Sequence, residues 1–119
     1  MKLSQPEWDV MEVLWSGSEF SLKEITSALY EKHQWSSNTV HTYLTRMNKK
    51  ELLTINKGTA KPYTAAVSKE NCAKAERDDL LTKVYGGAAG DMIAAFLKET
   101  SISSEEIQRL HKLLDEMEV

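Results

Sequence analysis

Asn38, Thr39, His41, Thr42, Thr45, Arg46 and Lys49 crowd into one short stretch of the chain. Their side chains are short or forked donors and acceptors, the types that reach base edges and phosphate oxygens of a duplex. Among them Val40, Leu44 and Met47 recur at helical spacing and would face a core. An ordinary solvated helix more often alternates Glu and Lys. The competing reading is a polar helix face with a chance cluster of threonines. From Ser36 to Lys61, five cations (Arg46, Lys49, Lys50, Lys57, Lys61) stand against Glu51 alone, a local net of +4. Arg46 suits a base edge or a phosphate. Lys49, Lys57 and Lys61 suit phosphates, which hold position and add salt dependence without reading sequence.

A helix that carries such a face must be started and held by its neighbours. Four segments share one start signal: an apolar residue, then Ser, then an apolar residue five positions after the first. They are Leu3-Ser4 with Trp8, Phe20-Ser21 with Ile25, Trp35-Ser36 with Val40, and Ile102-Ser103 with Ile107. The Ser hydroxyl caps free backbone N–H groups, and the two apolar residues clip the chain to the first turn. Glu7, Glu24 and Glu106 complete a capping box in three of them. The third start has Thr39 instead. A carboxylate there would repel phosphate, so its absence leaves the positive helix end open.

These starts predict a first helix over 5–15, with Trp8, Met11, Leu14 and Trp15 inward. A turn at Ser16-Gly17-Ser18 leads to a second helix over 22–33, with Leu22, Ile25, Ala28 and Leu29 inward. The third helix spans 37–50. Short strands at 52–57 and 62–66 would flank a tip at Lys57-Gly58-Thr59-Ala60-Lys61, where Gly58 permits a tight turn. Trp8, Trp15 and Trp35 are expected in the core. Three helices and a β-hairpin make a winged helix-turn-helix, in which the third helix enters the major groove and the wing lies over backbone. The class is mainly α, with residues 1–67 as the DNA-binding domain.

Residues 68–119 form the second expected domain. Ser68 would cap a helix to about Tyr85, Gly86-Gly87 would break it, and helices over 88–98 and 104–117 would follow. Their apolar residues include Leu81, Val84, Met92, Ile93, Phe96, Leu97, Ile107, Leu110 and Leu114. Such helices are too short to be stable alone. A second copy of the chain is the economical partner, giving a homodimer that matches a two-fold DNA site. The alternative is a tail folded back on its own winged helix.

Composition excludes several classes. The chain has 119 residues, 41% hydrophobic and 28% charged, as expected of one globular domain with an appendage. The net charge of −3 gives no support to nucleic-acid binding as a total. Its distribution does: residues 1–67 carry +1 and residues 68–119 carry −4. Cys72, the single cysteine, rules out an internal disulfide and reads as a packing residue. No signal peptide or membrane-length apolar run is recognisable, so a cytoplasmic protein is expected. His33, His41 and His111 lack metal-ligand spacing, and His33 would favour a helix end. Asp78-Asp79 and Glu105-Glu106 read as solvated charges. No phosphate loop, catalytic constellation, metal site or cofactor site is expected.

The chain resembles the bacterial penicillinase/methicillin-resistance repressor family over nearly its whole length. The resemblance is carried by Leu3-Ser4-Gln5-Pro6-Glu7-Trp8-Asp9-Val10-Met11 and by Asn38-Thr39-Val40-His41-Thr42-Tyr43-Leu44-Thr45-Arg46-Met47 with Lys49-Lys50. Tyr63 and Leu81, with Val84-Tyr85-Gly86-Gly87, also fit. It implies a dimeric transcriptional repressor on an inverted-repeat operator. It implies Thr39, Thr42 and Arg46 as contacts of the third helix, with Asn38 and His41 tuning sequence. It further implies release by cleavage in the C-terminal region, triggered by a membrane-bound zinc metalloprotease sensor. The corresponding bond here is Ala95-Phe96; some members have Asn where this chain has Ala95. The Cys-x-Cys motifs of the copper-responsive branch are absent, so copper sensing by that route is not expected. Two other readings stay open: an effector- or metal-sensing winged helix, and a winged-helix protein-interaction module.

Overall fold

The computed structural model describes residues 2–117. The outermost ends of the two expected domains, Met1 and Glu118 to Val119, lie outside the described residues. Element order is α1 (Gln5–Trp15), α2 (Leu22–His33), α3 (Ser37–Lys49), β1 (Leu53–Ile55), β2 (Tyr63–Ala65), α4 (Lys69–Tyr85), α5 (Ala89–Glu99) and α6 (Ser104–Glu116). The fold is mainly helical, with a winged-helix arrangement of α1–α3 and the hairpin.

The start signals act as their chemistry requires. Ser4 and Ser21 accept from the backbones of Glu7 and Glu24, whose carboxylates bond back to the caps. Ser36 Oγ accepts from Thr39 N at 3.3 Å. Ser103 Oγ accepts from Glu106 N, but the third expected box does not close: the Glu106 carboxylate accepts from the Ser103 hydroxyl instead of its backbone N–H. Ser68 caps α4 by accepting from Asn71 N at 3.1 Å.

The core is built by α1–α3 and the hairpin. Val10, Met11 and Leu14 meet Ile25, Leu29, Val40, Leu44 and Met47, closed by Leu52, Leu53 and Tyr63. Leu3 and Cys72 cover the edge. Burial pushes the Cys72 thiol up, consistent with packing rather than reactivity. β1 and β2 pair antiparallel, with Thr54 opposite Thr64.

Several expectations change. Ala28 is exposed, and the three tryptophans are half-buried rather than enclosed. Each has a partner that keeps it at the core's rim. Trp15 Nε1 donates to Val67 O at 2.9 Å, Trp8 Nε1 donates to Glu12, and Trp35 stacks on His33 and Tyr43. Both strands are shorter than expected, and Lys50 caps α3 instead of extending it. A third extended segment joins the hairpin: Phe20 and Tyr63 exchange two backbone bonds of 2.9 and 3.0 Å. Thr64 Oγ1 adds a bond to Ser18 O. Gly17 leaves room at this corner for the Phe20 ring, whose tip would lie 2.9 Å from a Cβ there and would have to shift.

Two compact units are present, Met1–Arg77 and Asp78–Val119. The first includes the opening turns of α4, where Cys72 is buried, so it runs beyond residue 67. In the second unit the N-cap of α5 is Ala88, which offers no side-chain cap. Val84, Phe96 and Leu114 are each more than half exposed. No helix among the described residues is long and apolar enough to cross a membrane.

Candidate nucleic-acid interface

α3 is oriented by what it buries. Val40, Leu44 and Met47 are fully enclosed, which fixes the opposite side toward solvent. At 3.6 residues per turn that outer side divides into three rows. Asn38, Thr42 and Lys49 run along its centre. Thr39 and Arg46 lie on one flank, and His41, Thr45 and Asn48 on the other.

Asn38, His41, Thr42, Arg46 and Lys49 are exposed; Thr39 and Thr45 are half-buried. Thr42 Oγ1 donates to Asn38 O at 3.0 Å, and Thr45 Oγ1 donates to His41 O at 2.9 Å. These bonds to the preceding turn leave both hydroxyl oxygens able to accept. Thr39 Oγ1 lies 3.2 Å from Ser36 Oγ, so its hydroxyl also serves the cap. No acidic residue occupies the first turn of α3.

The cations separate into two groups. Lys50 Nζ lies 2.7 Å from Glu7 Oε2, an ion pair that ties the end of α3 to the start of α1. Burial alone would raise the Glu7 carboxyl, but bonds from Lys50 and Ser4 outweigh it and hold it low. Lys61 Nζ lies 3.3 Å from Glu24 Oε2, so this wing cation is paired with a carboxylate in the free protein. The Glu24 carboxyl is lowered first by the Ser21 backbone bond and then by Lys61. Arg46, Lys49 and Lys57 have no ion-pair partner among the described residues. The local excess read from the sequence is thus partly neutralised by Glu7 and Glu24, two residues distant in the chain.

His33 does more than favour a helix end. Its Nε2 lies 2.8 Å from Asp9 Oδ2, and its ring stacks on Trp35 with centroids 3.9 Å apart. Trp35 stacks in turn on Tyr43 of α3 at 4.7 Å. Asp9 is buried and also receives Lys32 and Gln5. The start of α3 is therefore braced against α1 and α2 by a continuous polar and aromatic chain.

Between α3 and the hairpin runs a groove of about 580 Å³. His41, Thr45 and Asn48 form one wall; Lys57, Gly58 and Thr59 form the other. No group of three or more His, Cys, Asp or Glu side chains among the described residues could hold a metal ion.

A profile of the penicillinase repressor family matches residues 3–116. The chain belongs to the penicillinase repressor family. It is a DNA-binding transcriptional repressor rather than an enzyme. It is 30% identical to the penicillinase repressor of Bacillus licheniformis over 97% of this chain and 91% of that one. It is 26% identical to the penicillinase repressor of Staphylococcus aureus, covering 98% and 94%. It is 25% identical to the methicillin resistance regulatory protein MecI of Mammaliicoccus sciuri, covering 96% and 94%. Among solved structures it is similar to the Bacillus licheniformis BlaI monomer in complex with the blaP half-operator. That match has a TM-score of 0.52 and 29% identity over 60% of this chain and 88% of that chain.

In this chain α3 brings Asn38, His41, Thr42, Arg46 and Lys49 to one exposed side, as the sequence predicts. Lys57 joins them across the groove. Asn48, the Glu24–Lys61 ion pair and the Phe20–Tyr63 strand pairing were not singled out by sequence reasoning. Asn48 was detectable, since it stands seven residues after His41 on the same flank. The Glu24 and Phe20 contacts carry no local sequence signal.

Proposed function

We propose that this repressor acts in the cytoplasm as a homodimer covering an inverted-repeat operator, one winged helix per half-site. α3 enters the major groove with Asn38, Thr39, His41, Thr42, Thr45 and Arg46 toward bases and nearby phosphates. Lys49, Lys57 and Lys61 supply phosphate attraction. The observation that carries the dimer is the exposed apolar set of the second unit. Val84, Ile93, Phe96, Leu97, Ile107 and Leu114 are all exposed to water, and no monomeric role explains so many on three short helices. Leu81, Met92 and Leu110 are half-buried beside them.

Release follows from cutting α5 at Ala95-Phe96, triggered by a separate membrane-bound metalloprotease sensor. The bond lies within a helix, and Phe96 O accepts from Thr100 N at 3.1 Å, so α5 must open before a protease can act. Its start favours opening: Ala88 provides no cap, and Gly86 and Gly87 precede it at φ of 57° and 89°. A cut there removes apolar surface that both protomers share. Monomers then lose the linked second half-site, and avidity collapses.

Sedimentation equilibrium tests this reading. The full chain should be a dimer at micromolar concentration. Leu114→Asp, and separately a chain ending at Ala95, should be monomers that hold a single half-site but lose preference for the inverted repeat. A monomeric full chain refutes the dimer, and an undisturbed dimer in both variants refutes this interface.

A further inference from the structure

The groove between α3 and the hairpin has a chemistry of its own. His41 and Asn48 reach it from α3; Lys57 and Thr59 reach it from the wing. The Asn48 amide, the His41 ring and the Lys57 ammonium make no hydrogen bond among the described residues. Thr59 Oγ1 accepts from Lys61 N at 3.2 Å, which leaves its own proton to donate. No carboxylate lines the groove, although Glu24 and Glu51 lie on the same unit. Gly58, at φ +94°, has nothing within 4 Å of a built Cβ, so the wing tip offers backbone at close range. Four unspent donors and no fixed anion describe a site for an anion with several oxygens.

Duplex geometry says which anion. The major and minor grooves of B-DNA are separated by a single sugar-phosphate strand. A protein that places a helix in one groove and a hairpin tip at the next must straddle that strand. With α3 in the major groove and the wing over backbone, this strand falls in the α3–wing groove, and we propose that Asn48, on the α3 wall, is a phosphate contact there that fixes how deeply α3 sits. The assignment rests on α3 being the groove-entering helix. It also divides the face of α3: His41, Thr45 and Asn48 serve the strand, while Asn38, Thr42, Thr39 and Arg46 are turned to base edges. A contact to phosphate carries no sequence information and no charge of its own in the case of Asn48.

The test uses the full chain, one duplex of arbitrary sequence, and one inverted-repeat duplex selected by the wild type from a random pool. Asn48→Ala should weaken binding to both by the same factor, about fivefold to tenfold, with the salt slope unchanged. Asn48→Lys should tighten binding to both and steepen the slope by about 0.9, one further counterion. Asn48 is exposed, so thermal unfolding of both variants should match the wild type. Loss on the selected duplex alone would make Asn48 a base reader and overturn the assignment. Unchanged affinity in both variants, with a wild type that binds, would overturn the Asn48 contact while leaving α3 as the reading helix. Failure of the wild type to bind either duplex would overturn both.

Discussion

Asp9 and His33 meet at 2.8 Å, joining the middle of α1 to the last residue of α2. The His33 ring then carries that anchor through Trp35 to Tyr43, on the helix proposed to face DNA. Asp9 thus braces α3, which its buried face already orients, through two intervening rings. Asp9→Asn keeps the shape but weakens three hydrogen bonds. It should destabilise the fold by about 1–3 kcal/mol, read by denaturant unfolding. DNA affinity should fall at temperatures where the variant is still folded, because α3 loses its brace. Unchanged stability would show that the bonds contribute nothing net.

Acid should act through the same residues. Burial opposes ionisation of Asp9, yet bonds from Lys32, His33 and Gln5 lower its carboxyl overall; Glu7 is lowered likewise by Lys50 and Ser4. A lowered folded-state value means stabilisation that is complete above the unfolded value and lost as pH falls through the folded one. Unfolding free energy should therefore be flat from pH 7 to about 5 and decline as pH drops past about 4. In Asp9→Asn the decline should be shallower. An equally steep decline in the variant would place the acid sensitivity elsewhere.

On the proposed reading Glu24 competes with DNA for Lys61, which it already holds at 3.3 Å. Glu24→Gln retains the N3 side chain of a capping box and removes the charge. Binding should tighten several-fold at low salt, with the gain shrinking as salt rises. Weaker binding would mean that the ion pair holds the wing in its productive position.

Arg46 stands exposed on α3 with no ion-pair partner among the described residues. Arg46→Ala should weaken operator binding by about 1–3 kcal/mol and relax sequence preference, the signature of a bidentate base contact. An equal loss on operator and arbitrary DNA would reassign it to phosphate.

Much of this was legible in the sequence because it is local. Ser caps, apolar spacing and Gly58 act within a few residues, so helix positions follow from them directly. The polar face of α3 was legible for the same reason: Val40, Leu44 and Met47 fix which way it turns. What the sequence hid is non-local. Glu7 with Lys50, Glu24 with Lys61, and Asp9 with His33 are pairs whose members are far apart in the chain. Each looks like a solvated charge or a helix-end residue until the fold brings the partner in. The tryptophans pack at the rim of the core rather than inside it for a related reason: the Trp8 and Trp15 indoles have hydrogen bonds to satisfy, and Trp35 is stacked between His33 and Tyr43.

The most direct measurement is a titration of the full chain against an inverted-repeat duplex and against a duplex with one half-site, across a salt series. The account predicts that two protomers bind the inverted repeat tightly and together, that the single half-site binds far more weakly, and that both affinities fall steeply with salt. Weak, salt-insensitive binding that does not distinguish the two duplexes would contradict it.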